Sequence, residues 1–164
     1  MMTLLSAARA IGAQMQGPDN TFTAVTSDSR AILAGDLFVA IKGEHFDGHA
    51  FVADAIKQGA AGALVSQAFA ATHPGLPLIV VADTRLALGA LSAAWRARFT
   101  LPLIGITGSN GKTTVKEMCA AILRSQGGEV LATTGNLNND IGLPLTLLQL
   151  RDTHTVAVIE MGMN

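Results

Sequence analysis

A glycine-rich decapeptide places the strongest constraint on what this chain can fold into. It reads Gly-Ile-Thr-Gly-Ser-Asn-Gly-Lys-Thr-Thr at residues 105–114; the apolar run Leu101–Ile106 leads into it, and Val115–Leu123 follows with helical periodicity. A strand, a glycine-rich turn and a helix whose first turn carries Lys and Thr are typical of a phosphate-binding loop. The sequence therefore predicts an α/β architecture with phosphates bound at the amino terminus of a helix.

The residue types in this loop indicate how phosphates would be held. Glycines let the backbone approach the phosphates and direct its N–H groups toward them. Lys112, the candidate catalytic residue, would neutralise the β- and γ-phosphates, and the Thr113 hydroxyl would ligate Mg²⁺. The general pattern G-x-x-x-x-G-K-[ST] requires a glycine where this chain has Ile106. The predicted phosphate site comprises Thr107, Gly108, Ser109, Asn110, Gly111, Lys112, Thr113 and Thr114; the alternative is a glycine-rich turn that binds nothing.

A carboxylate follows the last predicted strand. Thr155–Ile159 has the composition of a buried parallel strand, and Glu160 comes directly after it. Ligands of open α/β sheets bind at the carboxyl ends of the strands, and Mg²⁺ takes one or two carboxylates beside phosphate oxygens and water. Thr113 and Glu160 are therefore the predicted metal ligands, with a solvated glutamate at a strand end as the alternative.

A polar loop, Thr133–Pro144, lies between these two segments. It is crowded with amides, hydroxyls and glycines and follows the predicted strand Glu129–Thr133, which places it on the phosphate side of the sheet. We predict that Asn138 and Asn139 contact the substrate near its pyrophosphate or the γ-phosphate. Loops of this composition are otherwise plain turns.

Taken together, the three segments resemble the Mur ligases, an ATP-dependent family that builds the peptide of bacterial peptidoglycan precursors. Thr107–Thr113 meets the family pattern T-G-[ST]-[NS]-G-K-[ST], which accounts for the missing glycine at 106. Val158–Gly162 is similar to the family's magnesium-binding strand end. Residues 135–148 are similar to the members that add D-alanyl-D-alanine, and the similarity extends along the whole chain.

The resemblance implies an activity, its cofactors and its substrates. The cofactors would be ATP, held by residues 107–114, and Mg²⁺. The substrates would be UDP-N-acetylmuramoyl-tripeptide and D-alanyl-D-alanine, joined in an amide bond through an acyl phosphate. A sister ligase that adds the third amino acid is an alternative, although a Thr-Pro-containing segment would be expected in place of Gly135–Pro144. A non-catalytic UDP-sugar-binding module is another, whereas a GTPase is disfavoured because the sequence lacks an Asn-Lys-x-Asp motif.

The first half of the chain resembles the amino-terminal domain of the same members, which holds the uridine diphosphate end of the substrate. The matching segments are Thr26–Arg30, Gly35–Gly43 and Phe46–His49. Arginine suits bidentate phosphate contacts, although Asp28 and Arg30 could equally form a local ion pair. His45 and His49 lack a further close ligand and do not predict a metal site. The predicted substrate-binding residues here are Ser27, Asp28, Ser29, Arg30, Lys42, Asp47 and His49.

The pattern of elements divides the chain into two α/β domains near residue 83. Residues 1–82 form the predicted UDP-substrate domain, and residues 83–164 form a connector helix with the first part of a parallel-sheet, phosphate-loop ATP-binding domain. Predicted helices are Leu4–Ile11, capped by Thr3, Phe51–Gln58, ended by Gly59, and Thr84–Phe99, capped by Asp83. Predicted strands are Phe22–Thr26, Asp36–Ile41, Ala63–Ser66 and Leu78–Ala82, with a proline-containing loop between the last two.

Composition bounds the class of protein. Hydrophobic residues make up 49% and charged residues 14% of the 164-residue chain, as in globular proteins. The net charge of −1 does not favour binding to nucleic acid or an anionic membrane. One cysteine excludes an intrachain disulfide, and the sequence shows neither a targeting segment nor a membrane span. We expect a cytoplasmic monomer.

Mur ligases are much longer than this chain. The family's carbamylated lysine, its later histidine and its carboxy-terminal domain have no counterpart here, and the third residue of the tripeptide is not indicated. We expect the 164-residue chain alone to be inactive. We also expect its last strand to be an unpaired edge, which would make the region after Thr100 unstable.

Overall fold

The structure, a computed structural model, describes residues 1–44 and 46–162. His45, which entered the argument on metal binding, lies outside the described residues. The chain forms two compact units, Met1–Leu91 and a second that starts at Ser92. This division falls inside a helix, later than the boundary predicted near residue 83, so the predicted domain limits stay a prediction.

The first unit alternates strands and helices along the chain. Its strands are β1 (Met2–Thr3), β2 (Gln14–Gln16), β3 (Thr21–Phe22), β4 (Ala24–Thr26), β5 (Asp36–Val39), β6 (Gly62–Ser66) and β7 (Leu78–Val81). Its helices are α1 (Leu4–Ala10), a short 3₁₀ helix (Gly48–Phe51), α2 (Val52–Lys57), α3 (Gln67–Thr72) and α4 (Thr84–Arg96), within which the division between the units falls.

A five-stranded sheet forms the centre of the first unit, in the order β2-β7-β6-β5-β4. Strands β4 to β7 are parallel to their neighbours, and β2 is antiparallel at one edge. Phe38 of β5 and Leu78 of β7 pack in a buried cluster with Val52 of α2. Because the four parallel strands end on the same side, the loops that follow them meet along one edge of the sheet.

Sequence signals set several helix boundaries as predicted. Thr3 caps α1 by accepting a hydrogen bond from the Ser6 N–H at 3.2 Å. The Asp83 carboxylate caps α4 by accepting from the N–H groups of Arg85 and Leu86 at 2.8 and 3.0 Å. Gly59, just after α2, has a φ of 103°, a conformation that glycine adopts without strain.

Two predictions for this unit were wrong. The predicted strand Phe22–Thr26 is two strands, because Phe22 pairs with β1 whereas Ala24 pairs with β5. The predicted loop between β6 and β7 contains helix α3, whose first turn is capped by the Ser66 hydroxyl accepting from Phe69 N–H. The prolines that suggested a loop lie after this helix and are compatible with it.

The second unit carries the glycine-rich loop. Its elements are β8 (Leu103–Ile106), α5 (Lys112–Ser125), β9 (Val130–Ala132), α6 (Gly142–Leu147) and β10 (Val156–Glu160). They form a parallel three-stranded sheet in the order β8-β10-β9, as predicted for this half of the chain. The expectation that the last strand is an unpaired edge was wrong, because the chain returns to place β10 between β8 and β9. Strand β10 is buried along its whole length.

Candidate functional site

The glycine-rich loop joins the end of β8 to the start of α5 and leaves the helix terminus open. Gly108 and Gly111 have φ values of 142° and 76°, which explains why glycines stand there. Gly111 is the N-cap of α5, and no side chain caps this helix. The first N–H groups of a helix lack acceptors within the helix. An anion seated in the loop would meet these donors and the positive end of the helix dipole.

Lys112 spans the loop. Its Nζ donates to the Gly108 carbonyl oxygen at 2.6 Å, and the side chain is half-buried. The ammonium thus lies inside the curve of the backbone, held by one carbonyl. A phosphate oxygen entering the loop could replace that carbonyl as acceptor, which suits a lysine that binds nucleotide phosphates.

Glu160 is enclosed at the end of β10 and is only 2% exposed. Its Oε2 accepts from the Thr113 hydroxyl at 3.0 Å, and its Oε1 accepts from the Asn138 side-chain amide at 2.8 Å. The structure thus brings together three residues that the sequence nominated from separate segments. This geometry excludes the alternative of a solvated glutamate at a strand end.

Sequence reasoning missed two residues of this site, Thr133 and Lys116. The Thr133 hydroxyl accepts from the Glu160 backbone N–H at 2.9 Å. Lys116 is 1% exposed, and its Nζ donates to the Thr133 carbonyl oxygen at 2.6 Å. The available signal was helical spacing: Lys116 lies four residues before Ala120 on the helix face that packs on the sheet, where an apolar residue is the norm.

The Asn139 side-chain oxygen is already bonded to backbone groups of its own loop. This Oδ1 accepts from the backbone N–H groups of Ile141 and Gly142 at 3.2 and 2.7 Å, which caps the start of α6. The predicted substrate contact of Asn139 stays a prediction, and its side-chain N–H groups are the atoms that could make it.

The donor set near Glu160 fits Mg²⁺. A hydroxyl and a carboxylate oxygen, Thr113 Oγ1 and Glu160 Oε2, lie 3.0 Å apart. Mg²⁺ prefers such hard oxygen ligands and completes its shell with phosphate oxygens and water. Across residues 1–44 and 46–162, no three His, Cys, Asp or Glu side chains converge as a self-sufficient metal cage.

In the first unit, Asp28 and Arg30 form a local ion pair in the turn after β4. Arg30 Nε and Nη2 donate to the two Asp28 oxygens at 2.9 and 2.8 Å. These hydrogen bonds lower the pKa of the Asp28 carboxyl from 3.8 to about 2. The Arg30 side chain is 88% exposed. The neighbouring Ser27 and Ser29 are half-buried, so this turn presents a polar surface at the carboxyl end of a parallel strand.

His49 is fixed by protein groups on both ring nitrogens. The Ser66 N–H donates to His49 Nε2 at 3.0 Å, so Nε2 is an acceptor and the ring proton resides on Nδ1. That proton faces the Asp47 carboxylate at 2.6 Å. The backbones of Lys42 and Asp47 pair across the turn in an isolated antiparallel β-bridge. His49 therefore ties the turn after β5 to the end of β6, and its predicted substrate contact stays a prediction.

A cleft of about 610 Å³ lies beside these residues at the carboxyl ends of β5, β6 and β7. This edge of a parallel sheet is where open α/β folds bind ligands. Lys42, Asp47 and His49, nominated from the sequence, line the cleft. Further lining residues that the sequence did not indicate are Ser66, Ala68, Phe69, Ala82, Asp83, Thr84 and Arg85.

Two protein-family models match the chain, one in each half. The model "Mur ligase family, catalytic domain" matches residues 21–96, and "Mur ligase middle domain" matches residues 106–164. The chain belongs to the Mur ligase family. The resemblance seen in the phosphate loop and at Glu160 is thereby confirmed, as is the fold: an amino-terminal α/β domain followed by the start of a Mur ligase nucleotide-binding domain.

Individual Mur ligases match over nearly the whole chain. UDP-N-acetylmuramoyl-tripeptide–D-alanyl-D-alanine ligases from Escherichia coli and Haemophilus influenzae are 51% and 41% identical, covering 99% of this chain and 35–36% of the relatives. A diaminopimelate-adding ligase from Chlorobaculum tepidum is 39% identical over 82% of the chain. The chain thus spans about a third of the length of the curated relatives it matches.

Solved Mur ligase structures share the fold. MurF from Acinetobacter baumannii matches with a TM-score of 0.87 and 41% identity, over 99% of this chain and 36% of that one. MurF from Thermotoga maritima, solved in complex with ADP, matches with a TM-score of 0.74 and 32% identity over 85% of this chain and 32% of that one.

Proposed function

We propose that this chain is part of an ATP-dependent ligase that joins D-alanyl-D-alanine to UDP-N-acetylmuramoyl-tripeptide in peptidoglycan precursor synthesis. The observation that carries the proposal is the uncapped terminus of α5, with Lys112 across the loop and the Thr113–Glu160 pair beside it. The names of the relatives that match over 99% of the chain support the choice of substrates. The proposed compartment is the cytoplasm, and the proposed state is a monomer.

The proposed reaction makes one amide bond. The terminal carboxylate of the tripeptide attacks the γ-phosphorus of ATP, which forms an acyl phosphate and releases ADP. The D-alanyl-D-alanine amine then attacks the acyl carbon, loses a proton, and displaces inorganic phosphate. Phosphoryl transfer depends mainly on positioning and charge neutralisation. Lys112 would neutralise phosphate charge, while Thr113 and Glu160 would hold Mg²⁺, which would offset the negative charge of the transferred group.

The first unit would hold the uridine diphosphate end of the substrate. The turn at Ser27–Arg30 and the residues Lys42, Asp47 and His49 lie at the carboxyl ends of β4 and β5. The cleft beside β5, β6 and β7 adds an aromatic side chain, Phe69, which stacks on His73 with one face, and a second basic side chain, Arg85. This arrangement suits a nucleotide, which brings a flat base and negative charge.

Phosphate release tests the proposal in the protein encoded by the full gene. With ATP, Mg²⁺ and UDP-N-acetylmuramoyl-tripeptide, we expect release that depends on D-alanyl-D-alanine. A parallel reaction with UDP-N-acetylmuramoyl-dipeptide and diaminopimelate tests the sister activity suggested by the 39% identical relative. Activity in the second reaction only would replace the proposal, and activity in neither would favour a non-catalytic UDP-sugar-binding role.

The activity of the 164-residue chain by itself is a separate question. We propose that it lacks ligase activity, because it spans about a third of the length of its relatives. Product formation by the 164-residue chain would contradict this part of the proposal.

A further inference from the structure

Lys116 is a buried cation that the proposed reaction does not use. It is 1% exposed and lies one helical turn after Lys112 on α5. Its Nζ donates to the Thr133 carbonyl at 2.6 Å and pairs with the Glu117 carboxylate at 2.9 Å. The Glu117 side chain is 62% exposed, so most of that carboxylate is in water. A buried ammonium is costly unless its contacts are well placed, which raises the question of what this lysine does.

The contacts of Lys116 belong to a closed ring of hydrogen bonds, here called the circuit, beside the predicted metal site. Lys116 on α5 holds the carbonyl of Thr133 at the end of β9, and the Thr133 hydroxyl accepts from the Glu160 N–H at 2.9 Å. The Glu160 carboxylate accepts from Thr113 at 3.0 Å, which returns to the first turn of α5. Four residues on three elements thus define where the carboxylate lies relative to the phosphate loop.

We propose that Lys116 is a positioning residue that holds Glu160 in register with Thr113 for metal binding, through Thr133. This inference rests on the proposed function. It assigns to Lys116 no contact with substrate, since the Thr133 carbonyl and the Glu117 carboxylate are its contacts. A methionine of similar length would fill the same space and leave the Thr133 carbonyl without this donor.

The physical reason is the narrow geometry that Mg²⁺ demands. Its ligands lie at about 2.0–2.1 Å in a near-ideal octahedron, so a carboxylate displaced by a fraction of an ångström binds less well. Outer partners of metal ligands typically alter metal affinity by about 10- to 100-fold when removed. Without the Lys116 donor, Thr133 keeps its backbone bond to the Val158 carbonyl at 3.1 Å but loses its tie to α5, so its hydroxyl and the Glu160 N–H can shift relative to Thr113.

The first test uses the protein encoded by the full gene and a non-hydrolysable ATP analogue. We expect Lys116→Met to raise the Mg²⁺ concentration for half-maximal analogue binding by about tenfold. Analogue binding without metal should be unchanged, because Lys112 and the loop remain. Ala120→Gly is the matched control: it changes the other buried residue of α5 and weakens the helix without touching the circuit. We expect no change in its Mg²⁺ dependence.

The second test needs no nucleotide. Amide exchange should accelerate at Glu160 in Lys116→Met, relative to Ala157, whose N–H donates to Pro102 elsewhere on the same strand. Thr133→Val removes the hydroxyl and keeps Lys116, so it should also raise the Mg²⁺ concentration for half-maximal analogue binding. If Lys116→Met does not fold, this second variant tests the inference in its place. Unchanged Mg²⁺ dependence together with a protected Glu160 amide would overturn the inference. If the unsubstituted protein shows no Mg²⁺-dependent binding, the proposed function fails and the Glu160 amide alone decides the role of Lys116.

Discussion

At the scale of single residues, the site is built on a carboxylate whose two oxygens both accept from neutral donors. Thr113 and Asn138 supply these donors to Glu160 at 3.0 and 2.8 Å. A metal ion would bind a lone pair of the Thr113 oxygen, so the Thr113 hydroxyl could keep donating its proton to Glu160. The arrangement thus holds the carboxylate in place without a metal ion.

Lys112→Ala should remove nearly all ligase activity, a loss on the order of 10²–10³ or more, without unfolding the protein. Among the described residues the side chain bonds only to a loop carbonyl, so we expect its charge to matter chiefly when phosphates are bound. Turnover and the thermal midpoint should be measured together on the protein encoded by the full gene. Lys57→Ala, an exposed lysine on α2, is the control. Wild-type turnover in Lys112→Ala would refute the phosphate-loop assignment.

Glu160→Gln should shift the Mg²⁺ titration of activity to higher concentrations, because the substitution keeps the size and removes the charge. The metal-free stability should fall by no more than about 1–2 kcal/mol, since the Thr113 hydroxyl can rotate to accept from the new amide. Glu129→Gln, which makes the same change at a side chain that is 60% exposed, is the control. An unchanged Mg²⁺ titration would show that Glu160 is not a ligand.

The Asp28–Arg30 pair predicts a measurable titration. NMR should place the pKa of the Asp28 carboxyl at about 2, and Arg30→Ala should move it back toward 3.8. Because the folded-state pKa is lowered, the pair stabilises the fold fully above about pH 4 and loses that effect as the pH falls toward 2. Arg9→Ala, a distant exposed arginine, should leave the Asp28 titration in place. An Asp28 pKa that is the same with and without the Arg30 side chain would contradict the ion pair.

At the scale of elements, the loop before α6 links that helix to the end of β10 through Asn138 and Asn139. Asn138 bonds to Glu160 through its side chain and accepts from the Gly162 N–H through its carbonyl at 2.7 Å. Asn139 caps α6. Helix α6 and the end of β10 therefore share one loop, and a shift of the helix reaches the carboxylate through Asn138.

Gly142→Ala tests this coupling. A Cβ at Gly142 would clash with the Leu137 Cα, a backbone atom, so the start of α6 has to move. We expect a loss of about 1–3 kcal/mol in the free energy of unfolding and a weaker response to Mg²⁺. Gly89→Ala is the matched control: its Cβ meets nothing within 4 Å on α4, and it should stabilise by about 0.5–1 kcal/mol. A Gly142→Ala variant with normal Mg²⁺ dependence would show that a shift of α6 does not affect the site.

At the scale of the whole molecule, the two units differ in how well their sheets are covered. The first has five strands around a buried cluster. The second has three, and its strand β8 itself exposes Leu103 and Ile104 by 37% and 38%, beside Met118 and Ile122 of α5 at 59% each. The exposed large apolar side chains described in the first unit lie outside its sheet strands. Small sheets with open edges and exposed apolar surface are the less stable kind.

Amide hydrogen exchange on the 164-residue chain should therefore be faster beyond residue 100 than in β5, β6 and β7. The central strand β10 should be the best protected part of the second unit, because both of its neighbours bond to it. Mass spectrometry of peptides after timed exchange measures this directly. Equal protection in the two units would show that the exposed apolar surface does not weaken the second.

The sequence by itself determined the local features of this protein. The glycines at 108 and 111, the cap at Asp83 and the strand–loop–helix order act over a few residues, and the family pattern predicted that the loop binds phosphates. Only the tertiary structure decided that Glu160 is enclosed, because its bond to Thr113 spans 47 residues of chain. The bond from Lys116 to the Thr133 carbonyl and the central place of β10 likewise depend on how the strands and α5 assemble. Spacing encodes neighbours along a helix or strand, whereas contacts between elements follow from how the sheet is assembled.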